Sequence, residues 1–444
     1  MGGRMSDPFF NAGILGEGSC GTTSHVSRRT LLKALGVAGV SSWLTPLAGW
    51  LARAEESAPS GKPARSVILL WLAGGPSQLE TFDPHPDSKI AFGTRAIPTA
   101  LKGIQLAAGL EQTAGMLGDI ALVRSVVSRE ADHERAVYNM KTGYRPSPTV
   151  VHPSIGAVIC HETEDQGVDI PRHISILPDQ WPSRGGYIGA RFDAFQVQDP
   201  QGPIQDVHAR VGVERMDQRM KDLAVVERQF QRGRPLDLDQ STTLHQLSMA
   251  RAMQIMSSGQ LRAFDVGEAS AAQQAAYGDT PFGRGCLAAL RLIEVGVRCV
   301  EVTLGGWDTH VNNHELQGKR VQVLDPAFSA LMRDLKERGL LDSTVVLCGG
   351  EFGRTPKLNA VGGRDHWPYG FSVALAGGGI RGGQVLGSTD PEGVSKEPEH
   401  PVSVQDLHAT IQHVLGMNPD KELITPVGRP LALSEGRVIR ELVG

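Results

Sequence analysis

What the chain lacks narrows its class first. Only five cysteines occur in 444 residues; Cys20 lies in the N-terminal leader, and Cys160, Cys286, Cys299 and Cys348 stand far apart with no C-x-x-C pair. A small scaffold stapled by disulfides is thereby excluded, although one or two bridges stay open in an oxidising compartment. Cys299 and Cys348 fall inside strand-like apolar runs and read as small buried hydrophobes. Long basic runs are missing too, and the formal net charge is −4. Nucleic acid is set aside as a partner, because neutralising phosphates requires clustered Lys and Arg. No internal repeat is visible.

Long uncharged stretches are also scarce, and the one from Ala34 to Leu51 has a telling context. It follows Ser27-Arg28-Arg29-Thr30-Leu31-Leu32-Lys33 and precedes Ala52-Arg53-Ala54, which together spell a twin-arginine export signal with a small-residue cleavage site. The expectation is a leader and signal over 1–54, cleavage after Ala54, the twin-arginine export machinery as a partner, and a periplasmic or exported protein. The competing reading is an uncleaved membrane anchor. Gly36, Gly39, Pro46 and Gly49 favour the cleaved signal, so no stable transmembrane anchor is expected. Met5 is an alternative start.

A Ser-, Pro- and Gly-rich linker covers 55–64, and the remainder, 65–444, reads as one elaborated domain. Ser66 to Ala73 is an unbroken apolar run ending in Gly74-Gly75-Pro76, as expected of a central parallel strand buried on both faces. Similar runs recur at Ile120–Arg124, Arg298–Leu304, Thr344–Cys348 and Phe371–Ala376. Helical spacing lies between them, notably Arg284–Val295, and again at Val404–Leu415. The alternation predicts an α/β fold, a doubly wound, mostly parallel sheet with helices on both faces and ligands beyond the carboxyl ends of the strands. Residues 207–276 are polar and Ala-rich and predict a helical insertion.

Four segments at such strand ends concentrate chemistry. After Gly74-Gly75-Pro76, Ser77 is a candidate nucleophile or ligand, or else the N-cap of a following helix. In Arg129-Glu130-Ala131-Asp132-His133-Glu134-Arg135, His133 sits between carboxylates at a predicted helix start, as ligand, acid/base or cap. Gly305-Gly306-Trp307-Asp308-Thr309-His310 places an Asp and a His two apart, a pairing suited to a hard or borderline cation such as zinc or manganese. Finally, Glu351 ends a strand, Asp365-His366 follows a Gly-rich turn, and Arg354 and Arg364 offer planar donors for phosphate or sulfate, or pair with Glu351 and Asp365.

The leader together with Gly74–Gln78, Gly306–His310, Gly350–Pro356 and Asp365–Pro368 resembles the exported bacterial family catalogued as domain of unknown function 1501. That family is placed in the alkaline-phosphatase-like superfamily of phosphatases, sulfatases and phosphomutases. The resemblance implies the doubly wound fold and a two-metal site at the strand ends, with divalent metal (zinc, manganese or calcium) held by Asp308, His310, Glu351, Asp365 and His366. It implies an anionic ester or polysaccharide substrate, His133 as nucleophile, ligand or acid/base, and Arg354 as an oxyanion clamp. Two departures stand out: the superfamily's first-strand Asp falls at Gly74 or Gly75, and its Ser or Thr nucleophile falls at or beside His133. The Cys/Ser-x-Pro-x-Arg context that sulfatases convert to formylglycine is missing. The implied function is an exported, metal-binding hydrolase for phosphate or sulfate esters; the alternative is a non-catalytic envelope binding or assembly protein on the same fold.

Overall fold

A computed structural model describes residues 62–164, 167–204, 207, 209–231 and 244–444. The twin-arginine motif, the uncharged stretch, the cleavage site and Met5 all lie outside the described residues. Among the described residues, no helix is long and apolar enough to cross a membrane.

The apolar runs form a nine-stranded sheet. In chain order its strands are β1 (Ser66–Leu72), β2 (Ile120–Val127), β3 (His173–Ile176), β4 (Phe195–Val197), β5 (Cys299–Leu304), β6 (Thr344–Gly349), β7 (Phe371–Ala376), β8 (Val385–Leu386) and β9 (Val402–Ser403). They lie in the order β8-β2-β7-β6-β1-β5-β3-β4, with β9 also paired to β2. Every pairing is parallel except those of β7, which runs antiparallel to β2 and β6.

β1 sits in the middle and is buried along its whole length. Ile68, Leu70 and Leu72 enter one core cluster, and Val67, Leu69 and Trp71 enter the other, which is why this strand reads as continuous rather than alternating. Helix α1 (His133–Thr142), helix α2 (Ile155–Glu162) and helix α5 (Val404–Val414) supply the second cluster; α3 (Pro281–Glu294) and α4 (Asn313–Glu337) supply the first. Helices therefore cover both faces, as the α/β alternation predicts.

Helix boundaries follow local chemistry. α3 begins three residues before the expected Arg284, because Thr280 accepts a hydrogen bond from Gly283 N and Pro281 occupies the first turn. α5 is opened by a capping box between Ser403 and Asp406, and Gly416 follows with φ +76°. Within 207–276 the described helices are Val213–Gln231, largely exposed, Leu244–Ser257 and Ala271–Tyr277; Ala263, Phe264 and Val266 between them reach the core.

One local expectation fails. No helix follows β1, so Ser77 is not an N-cap. Residues 77–83 form turns in which Thr81 N and Asp83 N both donate to Gln78 O. Gln78 instead spends its amide on the backbone of Arg354, accepting from N at 2.9 Å and donating to O at 2.8 Å. Long-range side-chain bonds thus take the place of a helical ladder.

Candidate metal centre

β1, β5 and β6 are adjacent and parallel, so their carboxyl ends bring three Gly-led loops together. The loop after β5 carries Asp308 and His310. Beyond β6 come Glu351 and a short antiparallel ribbon whose register sets His366 opposite Arg354. α1 starts at His133, where Asp132 caps the helix by accepting from Arg135 N.

Three imidazoles converge on one carboxylate. Nε2 of His310 lies 3.1 Å and Nε2 of His366 3.4 Å from Asp308 Oδ1, while Nε2 of His133 lies 3.3 Å from Asp308 Oδ2. Ligand atoms of His133, Asp308 and His366 all fall within 4.8 Å of one another, close enough to share one ion. His310 joins through His366, their Nε2 atoms 3.0 Å apart.

Each ring is fixed from behind through its other nitrogen. Nδ1 of His133 faces Glu351 Oε1 at 2.7 Å, Nδ1 of His310 faces Asp365 Oδ1 at 2.8 Å, and Nδ1 of His366 faces the Ala131 carbonyl at 2.7 Å. All three partners can only accept, so each Nδ1 carries the proton. In the neutral rings the lone pairs then sit on the three Nε2 atoms, and those of His310 and His366 confront each other. A proton or a metal ion has to occupy that space. Orienting a ligating His through an acceptor on its far nitrogen is the usual support of a metal site.

Two buried atoms lack hydrogen-bond partners here, His133 Nε2 and Glu351 Oε2. Phe352 packs against the rings of His366 and His133, centroids 4.4 and 4.9 Å away, and Trp181 stacks on His133 at 6.1 Å.

The family model described as "Protein of unknown function (DUF1501)" matches residues 64–443. The chain belongs to the DUF1501 family. No curated protein matches its sequence. Solved structures similar to this DUF1501 chain include a TAB5 alkaline phosphatase mutant with Mg bound (14% identity, 80% of this chain, 99% of that one, TM-score 0.38). Others are the PsFucS1 sulfatase from Pseudoalteromonas sp. (12%, 82% and 70%, TM-score 0.35) and Ps i-CgsB in complex with k-i-k-neocarrahexaose (11%, 81% and 73%, TM-score 0.39). All three likenesses are distant.

Within the DUF1501 chain, the candidates named from sequence divide into groups. Asp308, His310, His366 and His133 meet at the centre. Glu351 and Asp365 stand behind it, each holding a histidine rather than pointing inward with it. Glu351 is fully buried, whereas Asp365 is exposed.

Arg354 does not fit the role of oxyanion clamp. It is fully buried, and its guanidinium donates to Gly74 O, to Gly75 O at 2.9 Å, to Arg364 O at 3.1 Å and to Asp308 Oδ1 at 2.6 Å. No direction is left for a substrate, so Arg354 positions Asp308 and the loop after β1. Arg364 is likewise buried, donating to Glu80 at 3.2 Å and to carbonyls that include Ile90 O at 3.0 Å. Both arginines are ion-paired, but to Asp308 and Glu80 rather than to Glu351 and Asp365, which hold histidines instead.

Ser77 stands apart as well. It is fully buried and its hydroxyl donates to Glu80, which closes it to substrate. Gly74 and Gly75, at φ +113° and +75°, leave no room for the first-strand carboxylate: a Cβ on Gly74 would lie 2.5 Å from Asp308 N, and one on Gly75 2.5 Å from the Phe352 ring. The backbone serves there instead, Gly74 N donating to Glu351 Oε1 at 2.9 Å.

Electrostatics follow the contacts. Burial opposes charging His133, but the Glu351 hydrogen bond and the charges of Glu351 and Asp308 outweigh it and raise its pKa. His366 moves the other way, lowered by burial and by the neighbouring Arg354 and His133. Asp308 is held below its usual value because Arg354, His133 and His310 together overcome the burial that would raise it. Sequence reasoning missed the Ala131 carbonyl and the aromatic packing of Phe352 and Trp181. A backbone acceptor carries no residue signature, and neither aromatic sits in a spacing that marks a site.

Proposed function

We propose that this DUF1501 protein is an exported, metal-dependent hydrolase acting on a phosphate or sulfate ester of an anionic substrate. Export rests on the Ser27–Lys33 motif and the Ala52-Arg53-Ala54 site. The observation that carries the chemistry is the set of three Nε2 atoms facing Asp308, with every Nδ1 already committed.

His133, Asp308, His310 and His366 are the residues that would hold the ion. Imidazole and carboxylate donors suit zinc or manganese; calcium, which takes oxygen ligands throughout, fits this set poorly. Such an ion supplies Lewis-acid polarisation of an ester oxygen and lowers the pKa of water.

The protein's own contribution is orientation. Glu351 fixes the His133 ring with Nε2 turned toward Asp308, the arrangement of a carboxylate-backed ligand. In hydrolysis the water oxygen bonds to phosphorus or sulfur as the ester oxygen leaves, and the water proton passes to that departing oxygen. Arg354 keeps Asp308 in place, and Phe352 and Trp181 pack against the His133 ring.

One set of observations favours the second reading, a non-catalytic binding protein. Ser77 is closed off, and the first-strand carboxylate is replaced by glycine backbone. Elemental analysis of the purified protein and of Asp308→Ala, paired with a panel of aryl phosphates and sulfates, decides between them. A divalent metal should co-purify with the parent and be lost from the variant together with ester turnover. Metal without turnover of any ester selects the binding protein, and a metal-free parent sinks the hydrolase.

A further inference from the structure

The loop and helix that deliver Ala131 and His133 also wall a groove of about 570 Å3, closed on its other side by residues between Lys396 and Gln405. Two of the chain elements that wall the groove therefore also carry residues of the metal centre. Its charged lining is Arg129, Arg145 and Lys396 against a single carboxylate, Glu397. This is a local excess of cations on a chain whose net charge is −4.

Two of these cations, Arg129 and Lys396, have no ion pair among the described residues, and the third is only partly engaged. Arg129 is exposed and has no ion pair or hydrogen bond through its side chain among the described residues. Arg145 spends only Nε on Glu130, at 2.5 Å, leaving its two terminal nitrogens free. The Lys396 ammonium rests 4.6 Å from the ring centre of Tyr369.

A second observation points to a ligand. Asn139 lines the groove, is only 3 % exposed, and accepts from Ser128 Oγ at 3.2 Å through Oδ1, yet its Nδ2 has no partner. A buried amide left unpaired costs free energy that an incoming acceptor recovers. Tyr369, 38 % exposed, lies 5.1 Å from Trp367 and adds an apolar face beside the cations. Cations without ion pairs, an unpaired donor and an aromatic face are the combination that takes a ring bearing an anionic group, and the groove is too large for a lone ion.

We propose that this groove is a subsite for an acidic saccharide, gripping a sulfate or carboxylate on a residue next to the ester presented to the metal centre. The inference takes its substrate from the hydrolase reading above, but its test does not depend on turnover.

Isothermal titration of the purified protein with a size-defined heparin hexasaccharide, and with neutral maltohexaose, is the experiment. The acidic hexasaccharide should bind and the neutral one should not. Arg129→Ala with Lys396→Ala should weaken binding by about ten-fold or more at an unchanged melting temperature, and Arg129→Lys with Lys396→Arg should restore it. Asp308→Ala should keep hexasaccharide binding while losing metal, which separates failure of the groove from failure of the centre. Absence of binding by the parent, or equal affinity in the Arg129→Ala/Lys396→Ala protein, overturns the proposal. Binding to phosphatidylglycerol vesicles in place of the saccharide, lost in that same double variant, also overturns it in favour of a lipid surface.

Discussion

Two glutamates flank the central strand, both buried, and they have opposite fates. Glu301 lies within β5 and both its oxygens are satisfied: Oε1 accepts from Lys141 Nζ at 3.0 Å and Ser175 Oγ at 3.1 Å, and Oε2 from Ser183 Oγ at 2.8 Å. Glu351 lies just past β6. Its Oε1 accepts from Gly74 N and His133 Nδ1, while Oε2 is unpartnered. Burial and residue type are the same; the count of completed bonds is not. A closed polar network holds a fold together, whereas an incomplete one at the strand ends marks where something else has to bind.

The sharpest break in that contrast is Lys141→Ala. Lys141 is the only cation bonded to Glu301 among the described residues, and its side chain is 6% exposed, so truncation leaves a buried carboxylate uncompensated. Losing one partner of a buried pair typically costs about 3–5 kcal/mol. Urea unfolding should show a matching drop in midpoint at unchanged slope. A loss under about 1 kcal/mol would place Glu301 with the weakly held surface pairs rather than with the core.

Glu351→Gln comes next and should behave in the opposite way. Glutamine keeps the size and one oxygen acceptor for Gly74 N and His133 Nδ1 but removes the charge. Replacing such an outer partner lowers metal affinity by about 10–100-fold, with stability changed by about 1 kcal/mol or less. A competition titration with a zinc chelator reads the first quantity and thermal melting the second. If Glu351→Gln melts as badly as Lys141→Ala while binding metal normally, the distinction between the two glutamates is wrong.

That distinction was only half legible in the sequence. The apolar runs located β1, β5, β6 and β7 because a strand buried on both faces needs an unbroken apolar segment. The Gly-led loops after them exposed Asp308, His310 and His366 as candidates. What spacing could not resolve was which ring nitrogen points inward. That depends on the register of the Arg354–His366 ribbon and on acceptors such as the Ala131 carbonyl. The same blindness made Arg354 and Arg364 look like anion clamps. Whether an arginine faces solvent or a ring of carbonyls is decided by chain segments distant in sequence, here Gly74, Gly75 and Ile90.

Ser77→Ala should leave the metal centre untouched, because Ser77 belongs with the closed networks. Its hydroxyl is one of four donors around Glu80, the others being Thr94 Oγ1 at 3.0 Å, His314 Nδ1 at 3.1 Å and Arg364 at 3.2 Å. Burial pushes the Glu80 carboxyl up, but His314, Arg364 and Ser77 outweigh it and bring the pKa from 4.5 down to about 2. A depressed carboxylate pKa stabilises the fold above its ordinary value and loses that contribution as pH falls through the folded one. The parent should therefore lose this stability between pH 4.5 and about 2. With one donor removed, the folded pKa rises and the window narrows from its acid end. At neutral pH the cost should be about 1–2 kcal/mol, since three donors remain. Metal content and any ester turnover should match the parent, because Ser77 touches none of the converging histidines. Loss of turnover in Ser77→Ala, with metal retained and the fold intact, would return this serine to the reacting centre and undo its assignment to the core.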